Sequence, residues 1–227
     1  MSERMHCHEE LIQDLQTGRD SNGFIKYELM LKWHRDKYST SKHLLTVYYI
    51  ARNLGAKVIT EIGAGRSSFV LALAAYRNGG RFITCDRYDY RELFSEQEKK
   101  FIIYIHGWSE KFFEHQSVQY GIDFIFMDHL SSKRNYWTHG RDIKSCYKEI
   151  KKAFKLLKQN GIIAIHDVCD KKYDVGKGLE MFKEKYHDQC EVLSLPYCYG
   201  LGLIRKTVKS NYGKLELKYA KKFDSNS

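Results

Sequence analysis

Short apolar runs alternate with helical stretches from about residue 42 to about residue 205, and the way the alternation ends constrains the fold most. The runs at 58–62, 81–86, 101–105, 122–128 and 161–167 are rich in β-branched and aromatic residues. Such runs suit strands of a parallel sheet buried on both faces. The final two, at 191–195 and 199–205, are separated only by Pro196, Tyr197 and Cys198. A parallel crossover needs about a dozen residues, so this pair must be an antiparallel hairpin. The expected class is α/β, with five parallel strands in a doubly wound sheet closed by a C-terminal hairpin, seven strands in all.

Local signals fill in the rest. Thr40 and Ser41 are placed to cap a helix over 43–52, which stops at Asn53-Leu-Gly55. The turn Asn78-Gly-Gly80 announces the second strand, and a long basic helix over 142–158 precedes the fifth. Residues 1–41 read as a helical N-terminal extension or lid, 42–206 as one domain, and 207–227 as a basic tail.

Between the first strand and its helix lies Glu61-Ile-Gly-Ala-Gly-Arg-Ser-Ser68. Glycines there let backbone approach a ligand, and the helix N-terminus at 68–75 offers free N–H groups. Glu61, two residues before the first glycine, would repel a dinucleotide pyrophosphate and attract a cationic amino-acid moiety. That favours S-adenosylmethionine (SAM) over NAD.

In open α/β sheets ligands sit at the C-terminal strand ends. Strand one ends at Glu61 and the turn containing Gly63, Ala64, Gly65 and Ser67; strand two ends at Asp86-Arg87. Asp86 is placed to accept hydrogen bonds from ribose hydroxyls. Strand three runs into His106-Gly-Trp-Ser109, whose Trp108 and Ser109 suit an adenine face and edge. Strands four and five end at Asp128-His129 and His166-Asp167. Five consecutive polar or acidic strand ends indicate a ligand site, although one alone is usually a turn former.

These residues resemble class I SAM-dependent methyltransferases over residues 42–205. Glu61-Ile-Gly-Ala-Gly65 is similar to the family's first motif, Asp86 to its ribose acid, and the hairpin to its reversed last strand. The resemblance implies a Rossmann-like fold with SAM as cofactor. The segments 122–129 and 156–168 look like the catechol O-methyltransferase-like and cephalosporin-hydroxylase-like groups, which commonly use a divalent metal. By that resemblance Asp128, His166 and Asp167 fall on the metal ligands, His129 and Ser109 lie near adenine, and Tyr136 with Asp142 keeps a Tyr–Asp spacing. The catechol enzymes' lysine base would fall at Ser131, so His129 and Lys133, beside Asp128 in the same loop, are the candidate bases.

Composition bounds the partners. Apolar residues at 43% and charged residues at 29% describe a globular chain. No run reaches membrane-spanning length, the N-terminus lacks a secretory apolar core, and the six cysteines show no C-x-x-C spacing. A cytoplasmic protein with reduced thiols is expected. A small-molecule or sugar hydroxyl is the expected acceptor, and the chain is compatible with a homo-oligomer. The net charge of +10 keeps RNA methylation as an alternative. The single proline, Pro196, lies far from strand four, which disfavours the proline-dependent routes to exocyclic amines and C5 positions. A non-catalytic SAM-binding partner protein is the alternative of another class. His6-Cys7-His8 lacks a fourth ligand and reads as incidental. Trp33-His34 and Tyr48-Tyr49 read as packing for the N-terminal helices, with a lid as the sharper option; Tyr136-Trp137 reads as a floor for the acceptor pocket.

Overall fold

The computed structural model describes residues 3–36, 40–119, 121–128 and 142–207. A seven-stranded sheet runs in the order β3-β2-β1-β4-β5-β7-β6. Its strands are β1 Val58–Ile62, β2 Arg81–Asp86, β3 Ile102–His106, β4 Ile122–Met127, β5 Leu157–His166, β6 Cys190–Leu195 and β7 Leu201–Lys206. Strands β1 to β5 pair in parallel, and β7 is antiparallel to both β5 and β6. The hairpin is therefore present as the short connection requires.

Side-chain alternation along the strands supplies both faces of the sheet. Phe82, Phe124, Phe126 and Ala164 belong to one buried cluster, whereas Ile83, Cys85, Ile125, Met127, Ile163 and Ile165 belong to the other. The first cluster is covered by α1 (Glu3–Thr17), α2 (Tyr27–Arg35), α3 (Leu44–Asn53) and α4 (Arg66–Arg77). Leu11, Leu15, Leu29, Met30 and Trp33 of the first two helices share this core with Phe69 and Phe82. The second cluster is covered by α6 (Ser109–Glu114), α7 (Ile143–Leu156) and α8 (Val175–Tyr186); a short α5 (Glu96–Lys99) precedes β3. On α7, Cys146, Ile150, Ala153 and Phe154 are buried while Lys144, Lys148, Lys152 and Lys155 are exposed, the spacing of an amphipathic helix.

Several boundaries differ from the sequence expectation by one to four residues. The basic helix stops at Leu156 rather than Lys158, because Leu157 already pairs with Ile122 and the register shifts before Phe124. Asn160, with φ of 63°, sits in the left-handed region that asparagine tolerates. The last strand begins at Leu201, not Tyr199, because Cys198 and Tyr199 both have positive φ and the Gly200 N–H donates to the Tyr197 carbonyl at 3.0 Å. That is a tight turn at the tip of a five-residue connection, since Leu195 pairs with Leu201. Helix α3 begins at Leu44 after a 3₁₀ turn, Thr40–His43, and has no side-chain cap. Thr40 and Ser41 face other elements instead.

Candidate active site

The strand order reverses between β1 and β4, so the crevice at their C-terminal ends is where this topology accepts a ligand. The Gly63 N–H donates to the Cys85 carbonyl and the Asp128 N–H to the Ile62 carbonyl, both at 2.9 Å. These bonds keep the ends of β1, β2 and β4 in register just where Glu61, Asp86 and Asp128 emerge.

The glycine turn is held from two sides. Gly63 has φ of 101°, which L side chains rarely adopt. Gly65 is fully extended (φ 178°), and a Cβ there would meet no atom of the described residues within 4 Å. Neither backbone nor packing demands glycine at 65, whereas a close ligand would. The Ala64 N–H donates to Asp86 Oδ2 at 2.9 Å, and the Tyr88 N–H to Asp86 Oδ1 at 2.7 Å. Asp86 thus supports the turn from the end of β2.

Glu61 is fully buried. Its Oε2 accepts from Ser68 Oγ at 2.5 Å and from Thr84 Oγ1 at 3.0 Å, while Oε1 has no hydrogen-bond partner among the described residues. Burial pushes its pKa up to about 8, with the hydroxyl donors of Ser67, Ser68 and Thr84 opposing. An orphaned, buried acceptor is what a bound ammonium would satisfy, so the cradle fits the amino-acid end of SAM.

On the side where adenine is expected, Ser109, Arg87 and Trp108 also make contacts within the protein. Ser109 is buried at the first turn of α6, and its hydroxyl donates to Glu149 Oε1 of α7 at 2.7 Å. The Arg87 guanidinium lies 4.6 Å from the Tyr88 ring centroid and 5.1 Å from that of Trp108. Arg87 therefore layers against these two rings, and Ser109 ties α6 to α7.

At the ends of β4 and β5, Asp128, His166 and Asp167 bring ligating atoms within 4.8 Å of one another. His166 Nδ1 is 3.2 Å from Asp128 Oδ1 and 2.8 Å from Asp167 Oδ1. Burial works against a charge on His166, yet the two carboxylates hold its pKa up to about 10. Asp167 has φ of 66°, a left-handed position that aspartate accepts more readily than most residues. His129 and Lys133, with Ser131, Tyr136 and Trp137, lie outside the described residues, as do the side chains of His6, Cys7 and His8. Asp142 is described and caps α7, accepting from the Ser145 N–H at 3.0 Å.

Sequence reasoning missed four contributors. Thr40 Oγ1 donates to Asp128 Oδ2 at 2.8 Å. His43, buried, has Nε2 3.1 Å from the Cys198 carbonyl and its ring centroid 5.3 Å from that of His166. A carbonyl only accepts, so Nε2 carries the proton. Burial lowers the pKa of His43. Thr84 completes the shell around Glu61. Arg66, the first residue of α4, pairs with Asp36, with Glu10 at 3.5 Å and with Asp14 at 3.7 Å, and lies 5.5 Å from the Trp33 ring. Only Arg66 carried a signal, as a buried-side cation directly after a glycine turn. Trp33 and Tyr48 are packed in the core, with Trp33 Nε1 donating to Asp14 and Tyr48 accepting from Arg77.

Residues 60–168, from β1 to just past the end of β5, match a family model described as a methyltransferase domain. A search of curated proteins returns no match. Among solved structures, the S-adenosylhomocysteine-bound methyltransferase PaMTH1 of Podospora anserina is 19% identical, with a TM-score of 0.53 over 92% of this chain and 97% of that one. A Staphylococcus aureus protein assigned as a caffeoyl-CoA O-methyltransferase is 18% identical, with a TM-score of 0.55 over 89% and 99%. A Clostridium thermocellum protein assigned as an rRNA methylase is 13% identical, with a TM-score of 0.53 over 76% and 99%. At such identities the likeness is one of fold, and that fold serves different acceptors.

The fold defines a class I methyltransferase architecture. Over residues 60–168 the chain carries a methyltransferase domain. Among its described residues, no helix is long and apolar enough to cross a membrane.

Proposed function

We propose that the enzyme methylates a hydroxyl of a small molecule or sugar, with a divalent cation bound by Asp128, His166 and Asp167. The observation that carries this reading is the convergence of His166 Nδ1 with one oxygen of each carboxylate. Neighbouring ligands around an octahedral ion with bonds of about 2.1 Å are roughly 3 Å apart, close to the separations here. The donor set of two carboxylates and one imidazole suits Mg²⁺, Mn²⁺ or a softer ion. A bound divalent ion supplies Lewis acidity that lowers the pKa of an acceptor hydroxyl.

The protein's own groups supply the positioning. Glu61 takes the ammonium of SAM, Asp86 the ribose hydroxyls, and the turn at Gly63, Ala64, Gly65 and Ser67 lies along the amino-acid portion. Arg87, Trp108 and Ser109 bound the adenine end. Asp128, with His129 and Lys133 beside it in sequence, faces the acceptor, and proton removal falls to that loop. In-line transfer then depends on holding the acceptor oxygen behind the sulfonium methyl group.

RNA methylation is the competing reading, favoured by the exposed lysines of α7. Methyl-labelled SAM with catechol, other phenols, sugars and generic RNA, each with Mg²⁺ or EDTA, separates the two. Label on a hydroxyl-bearing small molecule, lost in EDTA and in Asp128→Ala with Asp167→Ala, is the expected result. Label in RNA overturns the acceptor assignment, and activity untouched by EDTA overturns the metal assignment.

A further inference from the structure

The hydroxyl of Thr40 is 88 residues from Asp128 in sequence, yet it donates to Asp128 Oδ2 at 2.8 Å. It does not cap α3, although it lies just before that helix. Three residues on, His43 bonds the Cys198 carbonyl in the β6–β7 turn. One 3₁₀ turn of N-terminal chain thus holds both the end of β4 and the tip of the hairpin.

A carboxylate on a partly exposed side chain turns about its terminal torsion at little cost. The Asp128 side chain keeps 21% exposure. Its Oδ1 lies 3.2 Å from His166 Nδ1 while its other oxygen, Oδ2, accepts from Thr40, so the Thr40 bond fixes the rotation that directs Oδ1 at the cluster. We propose that Thr40 is a positioning residue that fixes the Asp128 carboxylate and thereby sets the affinity of the Asp128–His166–Asp167 cluster for a divalent cation. This rests on the metal reading above. It makes the segment before α3 part of the reaction centre. Partners that orient metal ligands commonly change affinity by about 10–100-fold when removed.

The test uses the full chain and Mn²⁺ alone, with free Mn²⁺ followed by electron paramagnetic resonance and S-adenosylhomocysteine affinity measured by calorimetry. Thr40→Val keeps the shape and removes the donor, while Thr40→Ser keeps the donor. Mn²⁺ affinity should fall roughly 10–100-fold in Thr40→Val, return in Thr40→Ser, and leave S-adenosylhomocysteine affinity unchanged in both. If Thr40→Val binds Mn²⁺ like the wild type while Asp128→Asn does not, the positioning role is wrong and the metal site stands. If Thr40→Val loses both ligands together, Thr40 is only structural and the proposal is overturned. If the wild type binds no Mn²⁺, the metal reading itself fails and takes the role of Thr40 with it.

Discussion

Ser68 Oγ donates to Glu61 Oε2 at 2.5 Å while accepting the Gly65 N–H at 3.0 Å. One hydroxyl thereby joins the end of β1, the glycine turn and the first turn of α4. The carboxylate cannot move without the turn, so the cradle is rigid where a ligand must be gripped. Its second oxygen has no hydrogen-bond partner among the described residues.

Glu61 should therefore couple cofactor binding to protonation. With a pKa near 8, it is largely protonated at neutral pH in the free protein. A bound ammonium favours the carboxylate, so binding S-adenosylhomocysteine near pH 7 should release a proton. Calorimetry in buffers of different ionisation enthalpy measures this directly. Glu61→Gln should abolish the release and weaken binding; release of the same size in the variant would assign the proton elsewhere.

Stability should fall as the pH rises, in two windows. Glu61 holds its proton more tightly folded than unfolded, so its contribution declines between about 4.5 and 8. The folded pKa of His166 is raised from 6.5 to about 10, so its contribution is full below 6.5 and lost on the way to 10. Urea unfolding across pH should show the lower window vanish in Glu61→Gln and the upper one in His166→Asn.

Asp86→Ala removes an acceptor that serves the turn and is proposed to hold the ribose hydroxyls. A hydrogen bond to a charged group contributes about 1.5–3 kcal/mol, so S-adenosylhomocysteine affinity should drop roughly ten- to a hundredfold. Unchanged affinity by calorimetry would remove Asp86 from the cofactor site.

Arg66→Met tests the clasp between the N-terminal helices and α4. Removing one partner of a buried pair costs about 3–5 kcal/mol. The loss should lie near the lower end, because Asp14 also accepts from Lys32 and from Trp33 Nε1. A loss below about 1 kcal/mol in urea unfolding would mean the pair behaves like a screened surface bridge.

Much of this architecture was legible because local patterns dictate it. The three residues between the last two runs allow nothing but a hairpin, and buried parallel strands announce themselves as apolar runs. Glu61 and Asp86 could be picked out because each falls at a strand end, a place fixed by sequence once the strands are known. Thr40 could not, since a threonine before a helix is ordinarily a cap. Ser109 reads in the sequence as an adenine contact, and the engagement of its hydroxyl by Glu149 of α7, 40 residues on, is not visible there.

The sequence by itself determined the strand and helix alternation, the glycine turn and the acidic strand ends, because each depends on neighbours within a few residues. Only the tertiary structure decided which side chains share a site. Thr40 meets Asp128, His43 meets Cys198 and Arg66 meets Asp14 through chain closures of 88, 155 and 52 residues, the last being 66 − 14. Such closures follow from the packing of α1 to α4 on one sheet face and from the place of β7 beside β5. No local pattern encodes them, because a polar residue's partner is set by where the hydrophobic faces dock.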